Sequence, residues 1–520
     1  MDHSAFHRPM VLETALSWLK RKCQNYSYPI LSTFFFGFLA HMFIFSGKLI
    51  NHDDVSALFT KGGSTIIGRW GLELADKVLP NYSMPWIYGV LSLALMAVAV
   101  CLIADLFQIR NKLLQGLLAG AIIVFPSMIG VFPYMFMSST YTLCYLCAVF
   151  SVWLVNRHPI KGFIFAVGFL IFSLSLYQAH ISVAAGLLVL VLIRQLLTGE
   201  EVPTILRRGI FFVIFLIISL GAYYGATQLI LRLYGIGFGS YASNSISFSL
   251  ASIPQDIVDA YRTFFQYLFQ SYLGLIPTPV SKVLHITMLL MTGILLLVWC
   301  LSQKKTEPAR LALLAAMLLI LPLAMNCMHL FATMDAIHTL VVFGISSIYV
   351  LAVVVCDICM PLAKGASLRR TAVNLITIAL LLVILINSFL ANQCYLNLHL
   401  RYENAYAFYT SLIADVKMMP EFTEGTKLAV IGTYQQPKFY NEKFAVTGNA
   451  TGITGTYGFL PDSYSADRFM EYYIGFPIAF ASLEEIKSIQ ETQEFSQMPC
   501  YPYHGSMDYI NGIVVVKLSQ

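Results

Sequence analysis

The chain has 520 residues, of which 58% are hydrophobic and 11% charged, with a mean hydropathy of +0.71 and a net charge of +5. Soluble domains are about 45–50% apolar and about 25% charged, so this composition excludes a soluble cytoplasmic enzyme, a disordered chain and a disulfide-rich secreted module. The charge is too weak to suggest nucleic acid, and a polytopic α-helical membrane protein remains.

Residues 1–28 are polar and carry Lys20, Arg21 and Lys22. The apolar run that follows lacks a small-residue cleavage pattern and reads as an uncleaved span. Eleven apolar segments are expected, near 29–47, 84–107, 113–131, 134–155, 161–178, 181–197, 210–231, 282–302, 310–328, 336–356 and 371–391. The pair at 161–178 and 181–197 is short enough to bend through Tyr177–His180. With residues 1–28 inside, sixteen basic residues from Lys20 to Arg370 fall in short inner connections, and seven fall in two long outer loops. That bias satisfies the positive-inside rule and sends the C-terminus outside.

The long outer loops are 48–83 and 232–281. The first holds Gly62, Gly63, Gly68 and Gly71, which suggests a re-entrant or surface-lying element. The second contains a helical piece near Ile253–Tyr272 whose aromatics suit the membrane interface. Residues 29–399 therefore form the membrane domain, and 400–520 a small extracytoplasmic α/β domain. In the latter, Glu403–Met418, Ala466–Tyr473 and Ser482–Glu491 read as helices, with a capping box at Ser482 and Glu485. Lys427–Gly432 and Ile513–Leu518 read as strands. The split is also electrostatic: residues 1–400 carry 24 basic and 14 acidic side chains, and residues 401–520 carry 8 and 13.

Candidate chemistry gathers on the outer side. Asp53 and Asp54 follow the first span in Asn51-His52-Asp53-Asp54. If Asp53 ends that span the helix dipole disfavours the pair; a carboxylate in a partly desolvated pocket there can act as a general base. Arg69 and Trp70, in Gly68-Arg69-Trp70-Gly71, offer a two-pronged phosphate ligand and an interfacial or sugar-stacking ring. Lys61, Arg232 and Arg262 are further phosphate-binding candidates on that side. Tyr177, Gln178 and His180 lie at one outer turn, Asp335 and His338 at another, where polar groups at membrane depth are costly. Each of these also has a structural reading, as a cap, an interfacial anchor or solvated charge. The Cys144–Cys147 and Cys356–Cys359 pairs lie in apolar runs and read as packing, and a Cys394–Cys500 bridge is conceivable on the outer side. No P-loop, G-x-G-x-x-G, H-E-x-x-H or G-x-S-x-G motif is present.

Asn51-His52-Asp53-Asp54, Gly68-Arg69-Trp70, Tyr177-Gln178 and the closing Asp508–Leu518 stretch together resemble the bacterial serotype-converting glucosyltransferases, membrane proteins that modify O-antigen. The resemblance implies a GT-C glycosyltransferase of the bacterial cytoplasmic membrane. It implies a polyprenyl-phosphate-linked sugar as donor, with glucose the usual sugar, and an outer-leaflet reaction. The acceptor is then a surface glycan such as O-antigen or teichoic acid. It assigns an essential acid to the first outer loop, here Asp53 or Asp54, and extends to Arg69, Trp70, Tyr177 and Gln178. It implies no organic cofactor, while an acid pair can also bind Mg²⁺ or Mn²⁺. The competing expectation is a flippase or transporter of lipid-linked sugars. That reading calls for polar groups at the midplane and inverted repeats, which the sequence lacks.

Overall fold

The computed structural model describes residues 24–519 except 48, 50, 59–64, 79–81, 240–248, 271–277, 303–307, 334–336, 361–366 and 433–464. The helices of the first part are α1 (Ser27–Ser46), α2 (His52–Ser56), α3 (Gly71–Ala75), α4 (Pro85–Leu106), α5 (Lys112–Ile123), α6 (Pro126–Val131), α7 (Met135–Arg157), α8 (Phe163–Leu176), α9 (Ile181–Leu197) and α10 (Val202–Tyr234). They are followed by α11 (Ile253–Phe269), α12 (Pro279–Ser302), α13 (Pro308–Met325), α14 (Ser347–Cys359) and α15 (Ser367–Lys417). Among the described residues, eight helical stretches are long and apolar enough to cross a membrane. Three shorter apolar ones, Lys112–Ile123, Phe163–Leu176 and Phe343–Cys359, complete a set that matches the eleven expected segments. The chain is a multi-pass membrane protein.

Each short helix has a local cause. The segment expected at 113–131 is two helices, because Phe125 takes an extended conformation before Pro126 at the start of α6. α8 stops where Tyr177 becomes extended, and a 3₁₀ turn at Gln178–His180 leads into α9, so the chain bends at the expected place. α14 is preceded by a 3₁₀ turn at Phe343–Ser346. The Gln178–Leu197 stretch is buried on nearly every side, whereas Val202–Tyr234 is mostly exposed. The exposed side chains of α10 include Ile210, Val213, Ile214 and Ile217, an apolar surface that suits lipid. Helices approach closely at small residues: a Cβ on Gly89 would lie 2.4 Å from the Phe45 ring.

Three expectations need correction. α1 ends at Ser46, and the acid pair belongs to the separate helix α2, so Asp53 does not end the first span. The predicted helices at 371–391 and 403–418 are one helix, α15, of 51 residues. At 1.5 Å per residue it is about 76 Å long, more than twice the apolar thickness of about 30 Å that a span must cross. The helix at Ile253–Phe269 forms as expected, but Ala260, Phe264, Tyr267 and Leu268 are buried against the body rather than left at its surface.

The far part of α15 carries a C-terminal layer. Strands β1 (Lys427–Ile431), β2 (Met507–Ile510) and β3 (Ile513–Lys517) form a sheet in the order β1-β3-β2, with β1 parallel and β2 antiparallel to β3. The β2–β3 hairpin turns at Asn511-Gly512, both with positive φ, the dipeptide favoured in tight hairpins. One sheet face, with Leu428, Val514 and Val516, packs on Phe408, Tyr409 and Leu412 of α15 and on Phe469 of α16 (Ala466–Phe469). The other, with Ala429, Ile431 and Val515, packs on Ile489 of α17 (Leu483–Gln490) and Phe495 of α18 (Gln493–Gln497). The expected capping box is present at Ser482 and Glu485. Lys427 also bonds Glu485 at 2.6 Å, and these contacts hold the Glu485 carboxyl below its ordinary pKa. Cys144, Cys147, Cys356, Cys359, Cys394 and Cys500 are all free thiols.

The continuity of α15 is testable. Leu400→Pro removes a helical hydrogen bond and clashes with the preceding turn, at about 3 kcal/mol or more. Trypsin is expected to cut the variant at Arg401 in detergent and leave the parent chain intact there. Equal resistance of both proteins to trypsin would contradict a rigid, continuous α15.

Candidate functional site

The acid pair sits at the end of the membrane body that meets the C-terminal layer. Asn51 caps α2 by accepting the Asp54 amide at 2.8 Å. Asp53 and Asp54 thus occupy a first helical turn, where a carboxylate complements the dipole, contrary to the expected cost. Asp54 is fully buried. Its carboxylate accepts the Ser83 hydroxyl, at 2.6 and 2.7 Å to its two oxygens, and the Phe136 amide at 3.2 Å. That amide belongs to the first turn of α7, so Asp54 caps a second helix through space. Asp53 is half-buried. The next residue, Val55, is fully buried in the same apolar cluster as Phe469 and Val514 of the C-terminal layer. α2 also packs directly on α16.

A second group is built on the Gly68–Gly71 loop. The Gln178 amide donates to the Ile67 carbonyl at 3.1 Å and to the Tyr223 hydroxyl at 2.9 Å, and Tyr223 donates to the Gly68 carbonyl at 3.0 Å. Gly68 has φ +78°, and a Cβ on Gly71 would lie 2.1 Å from Ser175 Oγ, so both positions need glycine. The Trp70 indole donates to Thr227 Oγ1 at 3.1 Å. The Arg69 guanidinium lies 4.6 Å from the centre of the Tyr177 ring, a cation–π distance. The same charge reaches His338 and Tyr223.

The two groups are linked through α7. The Tyr177 ring meets Tyr141 edge-on at 5.0 Å, and Tyr141 lies five residues along α7 from Phe136. That is about 7.5 Å of helix rise. Arg69, Trp70, Tyr177, Gln178 and His338 therefore come together, and α7 links this group to Asp54. His180 sits behind Tyr177, with its Nδ1 3.2 Å from Cys144 Sγ and its ring beside Phe343. Arg262 stands apart on α11, paired with Asp259 at 2.5 Å. Lys61, Asp335 and the His52 side chain lie outside the described residues. Among the described residues, no three His, Cys, Asp or Glu side chains gather as a metal site.

Sequence reading missed Ser83, Tyr223 and Thr227. Tyr223 and Thr227 are spaced i, i+4 within an apolar helix, and two polar residues on one face at that depth are a usable signal. Ser83 stands two residues before the proline that opens α4, and nothing local marks it as a partner of Asp54.

Neither a search of curated proteins nor one of solved structures returns a match. The family model described as glucosyl transferase GtrII matches residues 42–356. That range takes in the acid pair, the Gly68–Gly71 loop, Tyr177, Gln178, Tyr223 and His338. With well over half of its length matched, the chain belongs to the GtrII glucosyl transferase family and is a membrane glycosyltransferase.

Proposed function

We propose that this protein transfers a sugar, glucose by family implication, from a polyprenyl-phosphate carrier to a surface glycan. The reaction is of the GT-C type and takes place on the outer face of a bacterial cytoplasmic membrane. The N-terminus is then inside and the C-terminal layer outside. The observation that carries this reading is the acid pair, pinned where body and C-terminal layer meet and joined through α7 to the loop that holds a guanidinium.

Between the two acids, Asp53 is the base and Asp54 its positioning residue. Asp54 is fully buried and holds Ser83 and the start of α7; Asp53 is the half-buried member. An acceptor hydroxyl gives its proton to the Asp53 carboxylate as its oxygen bonds to the anomeric carbon. The bond from that carbon to the phosphate oxygen breaks, and polyprenyl phosphate leaves with the electron pair. Attack opposite the leaving group inverts the anomeric configuration. Arg69 faces the growing phosphate charge, where a positioned cation acts most strongly in the transition state. Trp70, Tyr177 and Gln178 hold that arginine and its loop in place.

Asp53→Asn is expected to cut transfer from a defined polyprenyl-phosphate glucose by at least about 100-fold, with a smaller change of the thermal midpoint in detergent than Asp54→Asn. Asp54→Asn is expected to lower that midpoint, since charged hydrogen bonds are worth about 1.5–3 kcal/mol each. Full transfer by both single variants and by the double variant rejects the assignment. A second series addresses the phosphate. Arg69→Ala is expected to raise the donor KM about tenfold, with the acceptor KM unchanged, and Arg69→Lys to recover only part of the loss because lysine lacks the planar fork. If only expression changes, Arg69 merely anchors its loop.

A further inference from the structure

The C-terminal layer brings an aromatic group to the acid pair. Tyr473 stacks on Phe469 with centroids 5.4 Å apart and planes 13° apart, and Tyr402 of α15 meets Tyr473 edge-on at 6.0 Å. Tyr406, one turn further along α15, contacts Tyr402 at 6.2 Å and is 43% exposed. Phe469 itself is fully buried in the cluster that receives Val55, so this tyrosine group is fixed directly to α2. Tyr473 lies on a single π-helical turn, Met470–Ile474, closed by Gly475 in the left-handed conformation. Such turns recur at functional sites.

The Tyr473 hydroxyl is buried and has no hydrogen-bond partner among the described residues. Leaving a buried hydroxyl unmet is costly, and a bound polar ligand would recover that cost. Burial first, and then the Asp54 carboxylate, push the Tyr473 phenol well above its ordinary pKa. The group is therefore a hydrogen-bond donor at physiological pH.

The placement also says which substrate it meets. Arg69 lies on the side of Tyr177, Tyr223 and Thr227, within the body. Tyr473 lies in the C-terminal layer, which packs on α2. An in-line displacement needs the leaving phosphate and the incoming hydroxyl on opposite sides of the anomeric carbon. The phosphate side is taken by Arg69, so the tyrosine side belongs to the acceptor.

We propose that Tyr402 and Tyr473 form the acceptor-sugar subsite, with the rings lying against a pyranose and the Tyr473 hydroxyl donating to one of its oxygens. This rests on the reading of the acid pair as the transfer centre, and the test separates the two. The full-length protein in detergent is titrated with oligosaccharides released by mild acid from the surface polysaccharide of its own cell, with no donor present. Tyr473→Phe keeps the ring and its stacking, and is expected to weaken that binding at least fivefold. In the transfer assay it should raise the acceptor KM by a similar factor and leave the donor KM alone. Tyr402→Ala should weaken binding as well. Wild-type binding by Tyr473→Phe, a rise confined to the donor KM, or no binding by the parent protein at millimolar oligosaccharide would each overturn the subsite. Loss of transfer in Asp53→Asn with oligosaccharide binding intact leaves both readings standing. Binding that depends on Tyr473, in a protein whose acid-pair variants transfer normally, keeps the subsite and rejects the centre.

Discussion

The arrangement depends on one buried anion. Removing a carboxylate from water costs several kcal/mol unless hydrogen bonds replace the lost hydration. Asp54 meets that cost with the Ser83 hydroxyl and the α7 amide. In doing so it ties three separate places together: the short helix α2, the approach to α4 and the start of α7. Its neighbours inherit fixed positions. Asp53 is left half-buried at the same junction, and Val55 is delivered into the core of the C-terminal layer. Three consecutive residues thus supply a candidate base, the anchor that positions it and the contact that joins two layers.

The arginine side is held by a different device. The Gly68–Gly71 loop can lie flat on the end of α8 because Gly71 has no side chain to strike Ser175. Gln178 and Tyr223 then fasten the loop by its carbonyls, and Trp70 reaches Thr227. Arg69 is the residue in the middle, and its planar cation rests over Tyr177. Because Tyr177 is the extended residue that ends α8, the bend that shortens that helix also supplies the surface on which the arginine lies. A shortened apolar helix and a positioned cation therefore have one local cause.

Much of this was readable in the sequence, and the parts that were not have two different causes. The apolar segments, the bend at Tyr177–His180, the strands at 427–431 and 513–517 and the Ser482 capping box are all set by neighbouring residues, which periodicity and capping rules describe. The Asn511-Gly512 hairpin and the unbroken α15 were also local. The first is an Asn-Gly dipeptide, and the second has neither glycine nor proline between Ser367 and Lys417. Hydropathy alone missed both, since it loses the helix once polar residues begin near position 400. The position of the acid pair was misread for a related reason: an apolar profile shows where a span lies and not that a new helix starts six residues after it. The bonds from Asp54 to Ser83 and from Gln178 to Tyr223 are tertiary, across 29 and 45 residues. The approach of Tyr473 to Asp54 spans most of the chain. No local pattern encodes such pairings.

The boundary of the family match carries its own meaning. It ends at residue 356, so it contains the acids and the arginine but neither α15 nor the sheet. On the proposed mechanism this division follows the chemistry. The proposed work on sugar and phosphate lies in the matched body. On the same proposal the acceptor is met by the tyrosines, which lie outside the match. For the two parts to cooperate, the acceptor side must be held at a constant distance from the acids. α15 meets this requirement. It begins packed against α1, α5 and α12 in the membrane body, continues without a break, and ends as the floor on which the sheet and Phe469 are packed. A rigid strut of that kind lets the acceptor surface change its side chains without moving the point at which it meets Asp53.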